Sequence, residues 1–232
     1  MRSPVIVALD FDSAAQAREL VQRLGPQADH FKIGLQLLTA AGPDLVRELA
    51  ATGCDLFLDL KLHEIPNSVA SAVRVAGVLG ASMVTVHASA GSAALRAAVH
   101  AAQPFPHLRV LALTVITSLA DADLPEIGLA PSVREQVLRL ARLAMQAGCH
   151  GVVASAQEAA WLRDVLPPGA LIVCPGIQLP TSVASDQARV ATPGAAARAG
   201  ATHVVIGRGI TAAADPAAAF TAALTAFRDQ GC

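Results

Sequence analysis

The chain has 232 residues, 53% hydrophobic, 15% charged and 3% aromatic, with a formal net charge of -1. So much apolar material can bury enough surface to offset the entropy of ordering, which excludes a disordered chain. A near-zero net charge excludes a strongly basic nucleic-acid binder, although one local basic pocket remains compatible with it.

Short, nearly continuous apolar runs recur along the chain at residues 5–9, 31–33, 56–60, 83–86, 110–115, 151–154, 171–173 and 203–206. Such runs read as strands buried on both faces of a parallel sheet. The first leads into Leu9-Asp10-Phe11-Asp12 and then a helix over 14–24 that stops at Leu24-Gly25-Pro26. A helix over 44–51 stops at Thr52-Gly53, and later ones over 132–147 and 156–165 share its periodicity. Leu79-Gly80, Ala147-Gly148 and Ala199-Gly200 supply further glycine stops, and Asp215-Pro216 reads as an N-cap followed by proline.

Residues 75–95 hold no Asp, Glu, Lys or Arg over about the length of a membrane span. Gly77, Gly80, Ser82, Thr85, His87 and Gly91 divide that stretch, however, into a helix end, a turn and a buried strand. The polar start Arg2-Ser3-Pro4 resembles neither a secretory signal nor a transit peptide. Cys54, Cys149, Cys174 and Cys232 are unclustered, which reads as free thiols in a reducing cytoplasm and no zinc site. Eight β-then-α units of roughly 30 residues predict an α/β fold, a (β/α)8 TIM barrel forming a single domain over 1–232. A doubly wound open sheet would place a glycine-rich phosphate loop where Leu9-Asp10-Phe11-Asp12 stands.

Barrels build their sites at the C-terminal ends of the strands. Asp10, Lys32, Asp59, Lys61, His87, Thr117, Ser155 and Arg208 fall there. Asp59-Leu60-Lys61 is the most informative piece, because i and i+2 on a strand share a face. A buried acid and a buried amine are tolerable only as partners. Glu64 follows closely and suggests an alternating charge network. Carboxylate neighbours favour the ammonium form of Lys61, a poor Schiff-base nucleophile but a competent proton donor to carbon. Gly207-Arg208-Gly209 after the last strand suits phosphate, with backbone approach from the glycines and a forked cation from Arg208. The polar loop from Pro175-Gly176-Ile177-Gln178 through Asp186-Gln187 is long enough to fold over a ligand. His87 reads as a hydrogen-bonded structural histidine, His63 as facing outward, Trp161 as packing and Cys174 as a core filler.

These motifs resemble the orotidine 5'-phosphate decarboxylase family, from Ala8-Leu9-Asp10-Phe11 to Asp215-Pro216. The most specific is Leu58-Asp59-Leu60-Lys61-Leu62-His63-Glu64-Ile65-Pro66-Asn67; Lys32-Ile33-Gly34, Pro175-Gly176-Ile177 and Ile206-Gly207-Arg208 support it in order and spacing. The resemblance implies cofactor-free, metal-free decarboxylation of orotidine 5'-phosphate to UMP, the last step of pyrimidine nucleotide synthesis, in the cytoplasm. It implies Asp10 and Lys32 on the ribose, Asp59 near the departing carboxylate and Lys61 protonating C6. It further implies Thr117 and Ser118 at the pyrimidine, Gln187 bridging base and phosphate, and Gly207 and Arg208 on the phosphate. Ser68 and Gln178 occupy further substrate-binding positions. Glu64 would reach the neighbouring subunit's site, so a homodimer is implied, with no nucleic-acid or membrane partner. Four positions depart from the family's usual residues: Glu64 for Asp, Gln178 for Arg, Ser68 for Thr and Gly209 for Pro. A magnesium-dependent sugar-phosphate decarboxylase of the same superfamily would instead want an acid at the end of strand 2, where Lys32 stands. A nucleotide-binding barrel without turnover is the alternative of a different class.

Overall fold

Strands with apolar side chains on both faces need cover on both, and this chain provides it by closing its sheet into a ring. A computed structural model describes residues 3–179 and 191–230. The strands are β1 (Val5–Ala8), β2 (His30–Gly34), β3 (Asp55–Leu62), β4 (Met83–His87), β5 (Arg109–Leu113), β6 (Gly151–Val153), β7 (Leu171–Cys174) and β8 (His203–Ile206). All pair in parallel and in chain order, and β8 closes onto β1 through Val5↔Val204 and Val7↔Ile206. The structure is therefore the (β/α)8 barrel, not the open doubly wound sheet. The helices are α1 (Ala14–Leu24), α2 (Leu35–Ala41), α3 (Pro43–Ala51), α4 (Pro66–Val78), α5 (Gly91–Ala102), α6 (Val133–Gln146), α7 (Ala156–Arg163), α8 (Pro193–Arg198), α9 (Arg208–Thr211) and α10 (Pro216–Arg228).

Strand alternation sorts the buried side chains into two concentric layers. Ile6, Ala8, Phe57, Met83, Leu111, Leu113, Val153, Val173 and Val205 fill the barrel's interior. Val5, Val7, Leu56, Leu58, Val84 and Val86 point the other way and pack with the apolar faces of the helices. Two residues beyond Ala8 and Phe57, the same alternation presents Asp10 and Asp59 at the mouth.

The helices start and stop on local chemistry. Ser13, Ser132 and Asp215 each accept a hydrogen bond from a backbone N–H in the first turn, and Pro216 follows Asp215 as a first-turn residue. At Gly80 the chain turns with φ 86°, and a Cβ there would lie only 2.8 Å from that of Ala50. Gly25, Gly53, Gly148 and Gly200 share the positive φ expected of helix stops. Residues 75–95 divide into the end of α4, this turn, β4 and the start of α5. Among the described residues no helix is long and apolar enough to cross a membrane. Cys54, Cys149 and Cys174 are free thiols, while Cys232 lies outside the described residues. Burial pushes the Cys149 thiol up to about 12 and that of Cys174 up as well, so neither is a ready nucleophile. Trp161 packs beneath the guanidinium of Arg134, 5.1 Å from its ring centre.

Candidate active site

The C-terminal ends of the strands enclose a cavity of about 500 Å³, a volume typical of small-molecule sites. One side is charged. β1, β2 and β3 carry Asp10, Lys32, Asp59 and Lys61 to this wall, and the four alternate in sign. Lys32 Nζ donates to Asp10 Oδ1 at 2.8 Å and lies 3.9 Å from Asp59 Oδ2. Lys61 Nζ donates to that same Asp59 oxygen at 2.8 Å. The middle of the array is driest: the side chains of Lys32 and Asp59 are 11% and 12% exposed, against 49% for Asp10 and 37% for Lys61. Alternation is what lets charges sit this deep, since each has an opposite partner to replace lost water.

Lys61 reaches Asp59 by a route that simple strand geometry does not give. Its backbone sits at φ 50°, the one positive value among the described non-glycine residues. The β3–β4 register jumps from Leu58↔Val84 to Leu62↔Val86, so Asp59, Leu60 and Lys61 stand opposite Thr85 alone. A bulge of this kind re-aims a side chain, and here it turns the ammonium into the mouth. The fully buried Thr85 fills the gap: its Oγ1 accepts from Lys61 N–H at 2.9 Å and donates to Asp59 Oδ1 at 3.0 Å.

The adjoining side, beyond β1, belongs to the loops that follow β7 and β8. Gly176 and Gln178 line the cavity, pinned by hydrogen bonds from Gln178 N–H to Ala191 C=O (2.9 Å) and from Ala191 N–H to Gly176 C=O (3.1 Å). Gly207, Arg208 and Gly209 line it next, where the chain leaves β8 and enters the short α9. Thr117 is buried against the same space, and Ile116 adds an apolar wall.

Several expected residues do not join this lining. Glu64 is exposed, and its carboxylate accepts from the adjacent Ile65 N–H instead of extending the charge network within the chain. The turn Leu62–Pro66 carries it outward before α4 begins. Ser68, on the first turn of α4, and Ser118 are both exposed and away from the cavity. Ser155 is fully buried and starts α7, its N–H donating to the Glu158 carboxylate at 2.8 Å. His87 is held by its neighbours: its Nδ1 accepts from Ser89 N–H at 3.3 Å, and its ring stacks on His63 with centroids 5.1 Å apart. Burial, with His63 and Lys61 nearby, lowers the pKa of His87. His63 is exposed yet carries that stack. Asp186 and Gln187 lie outside the described residues.

Sequence reasoning missed Thr85, Gln36 and Thr211. The latter two line the cavity, and Gln36 Nε2 donates to Asp12 Oδ1 at 2.8 Å. Gly34 matters for its emptiness, since a Cβ there would lie 3.0 Å from Lys32 Nζ. Among the described residues no three His, Cys, Asp or Glu side chains gather as a metal ion's ligand set would.

Residues 3–223 match the model of the orotidine 5'-phosphate decarboxylase / HUMPS family. The chain is 52% identical over 221 residues to an orotidine 5'-phosphate decarboxylase from Laribacter hongkongensis, covering 95% of this chain and 91% of that protein. It is 48% identical over 233 residues to one from Sodalis glossinidius, covering 99% and 92%. The crystal structure of orotidine 5'-phosphate decarboxylase from Lactobacillus acidophilus superposes with a TM-score of 0.87 at 35% identity, covering 97% of this chain and 99% of that one.

Proposed function

The chain belongs to the orotidine 5'-phosphate decarboxylase / HUMPS family, and from that premise we propose that it converts orotidine 5'-phosphate to UMP and CO2. The observation that carries this reading is the alternating Asp10–Lys32–Asp59–Lys61 array sharing one cavity with the glycine–arginine loop beside it. An anionic phosphate fits the Gly207–Arg208–Gly209 side, where two glycines allow backbone approach and Arg208 supplies a cation. The ribose hydroxyls then meet Asp10 and Lys32, and the flat base lies between Ile116, Thr117 and the ends of β5 and β7. Gln178 serves as a neutral contact near the phosphate, and Gln187 as the bridge from base to phosphate.

Cleavage of the C6–carboxylate bond releases CO2 and leaves its electron pair on C6. That carbanion needs charge already in place, because reorganising water would cost more than a fixed ammonium does. Lys61 is that ammonium, directed by Asp59 at 2.8 Å. It donates a proton to C6 and regains one from solvent. Asp59 stands beside the departing carboxylate, so the bound substrate loses an unfavourable neighbour when CO2 leaves. Binding energy from the remote phosphate offsets that repulsion.

The reading includes no cofactor or metal, a cytoplasmic setting and a single barrel domain. It also includes a homodimer in which Glu64, and Ser68 on the first turn of the helix that follows, serve the neighbouring subunit's site. The outward course of Glu64 supports this role over one in its own cavity. The test follows the ultraviolet absorbance of orotidine 5'-phosphate with the purified chain and excess chelator. Turnover supports the proposal. Turnover only after magnesium is restored favours the sugar-phosphate type of chemistry, and binding without turnover favours an inert nucleotide barrel.

A further inference from the structure

We infer that Thr85 is a positioning residue of this site, holding both the Lys61 backbone and the Asp59 carboxylate in register for proton transfer; the inference rests on the decarboxylase reading above. A threonine in the run Met83-Val84-Thr85-Val86 is unremarked in a strand. Its surroundings give it a task. Where β3 bulges, the ladder bond that β4 would offer Lys61 N–H is lost. A part-buried amide without an acceptor is costly, and the Thr85 hydroxyl oxygen replaces the missing carbonyl at 2.9 Å.

The hydroxyl proton is committed as firmly. Asp59 as a carboxylate can only accept, so Thr85 must donate to Oδ1, at 3.0 Å. Oδ2 is then left facing Lys61 and Lys32, at 2.8 and 3.9 Å. One hydroxyl thus fixes the polarity of the chain Lys61 N–H to Thr85 to Asp59 and selects which carboxylate oxygen meets the ammonium. Thr85 has no exposed surface, so water does not compete for either bond at its own position. It does not line the cavity and acts only through its neighbours.

The experiment compares kcat, KM and UMP affinity in the wild type, Thr85→Val and Thr85→Ser. Valine keeps the shape and removes both bonds; serine keeps the hydroxyl. The expected result is a fall in kcat of about 100-fold for valine, the loss that an ångström-scale misplacement brings. KM and UMP affinity should move less than about threefold, and serine should recover most of kcat, because the reacting groups and not the binding groups are displaced. A valine variant within about threefold of wild-type kcat overturns the inference, as does a serine variant as slow as valine. A loss confined to KM overturns it too. If the valine variant does not fold, Thr85→Ala is compared with Thr85→Ser: equal kcat overturns the inference, and turnover retained only by serine supports it. A wild type that does not decarboxylate orotidine 5'-phosphate defeats the underlying reading instead, so the two failures are distinct.

Discussion

Gly34 has no side chain, and the space it leaves is occupied by charge. A Cβ there would lie 3.0 Å from Lys32 Nζ and 3.4 Å from Asp10 Oδ1. Because an ammonium ends a flexible stem, Gly34→Ala should fold normally, with a melting temperature within a few degrees of wild type. The ammonium must yield, however, and kcat is expected to fall about tenfold or more; unchanged kcat would show that Lys32 tolerates the displacement. Such residues mark where the sequence stops being readable. Asp59 and Lys61 are legible because charge inside an apolar run must find a partner. Gly34 and Thr85 are not, because their roles lie in empty space and in a missing ladder bond. The adjacent hydroxyls of Thr117 and Ser118 cannot be told apart before the loop's course is known; only Thr117 turns inward. Glu64 is close to Lys61 in sequence, yet the turn into α4 parts them.

β3 holds the largest departure from regular geometry. The strand runs past its expected end, to Leu62, by admitting a left-handed residue at Lys61. An L-residue at positive φ costs about 1–2 kcal/mol, a strain often stored at functional sites. Lys61→Gly and Lys61→Ala both remove the amine, but only glycine occupies that backbone freely. Denaturant titration should therefore find the glycine variant more stable than the alanine variant by about 1 kcal/mol. Equal stabilities, or alanine ahead, would contradict a left-handed Lys61. The other strands are predicted to within a residue or two at each end, since continuous β-branched runs bounded by glycine leave few alternatives. The bulge is invisible because Leu58 to Leu62 alternates as any strand does. α2 and α9 escape notice because 7 and 4 residues are too few for periodicity to show.

At the scale of the whole molecule the barrel separates its two ends. Charged side chains gather at the C-terminal mouth, while the N-terminal end packs the half-buried His203 against the buried His30, ring centres 5.7 Å apart. Burial first, and then His30, depress the His203 imidazole to about 4, with Asp55 opposing them. In the unfolded chain the imidazole titrates near 6.5. As pH falls between those values, the unfolded state takes up a proton that the folded state refuses. The contribution of neutral His203 is thus complete above about pH 6.5 and lost progressively toward pH 4, a loss of roughly 3 kcal/mol. The lowered values of His87 and His150 act in the same direction. His203→Gln should flatten much of this acid limb in denaturant titrations; an unchanged limb would assign it elsewhere. The barrel's closure, which joins β8 to β1, also sets the Gly207–Arg208–Gly209 loop beside Asp10 and so brings it into one cavity with the charged array. The proposed decarboxylation turns on Lys61 as the donor to carbon. The most direct test is kcat for orotidine 5'-phosphate in Lys61→Ala, measured beside wild type with UMP affinity as the control. A fall of about 10⁴-fold or more, with UMP still bound, is expected. Turnover within about tenfold of wild type would contradict it.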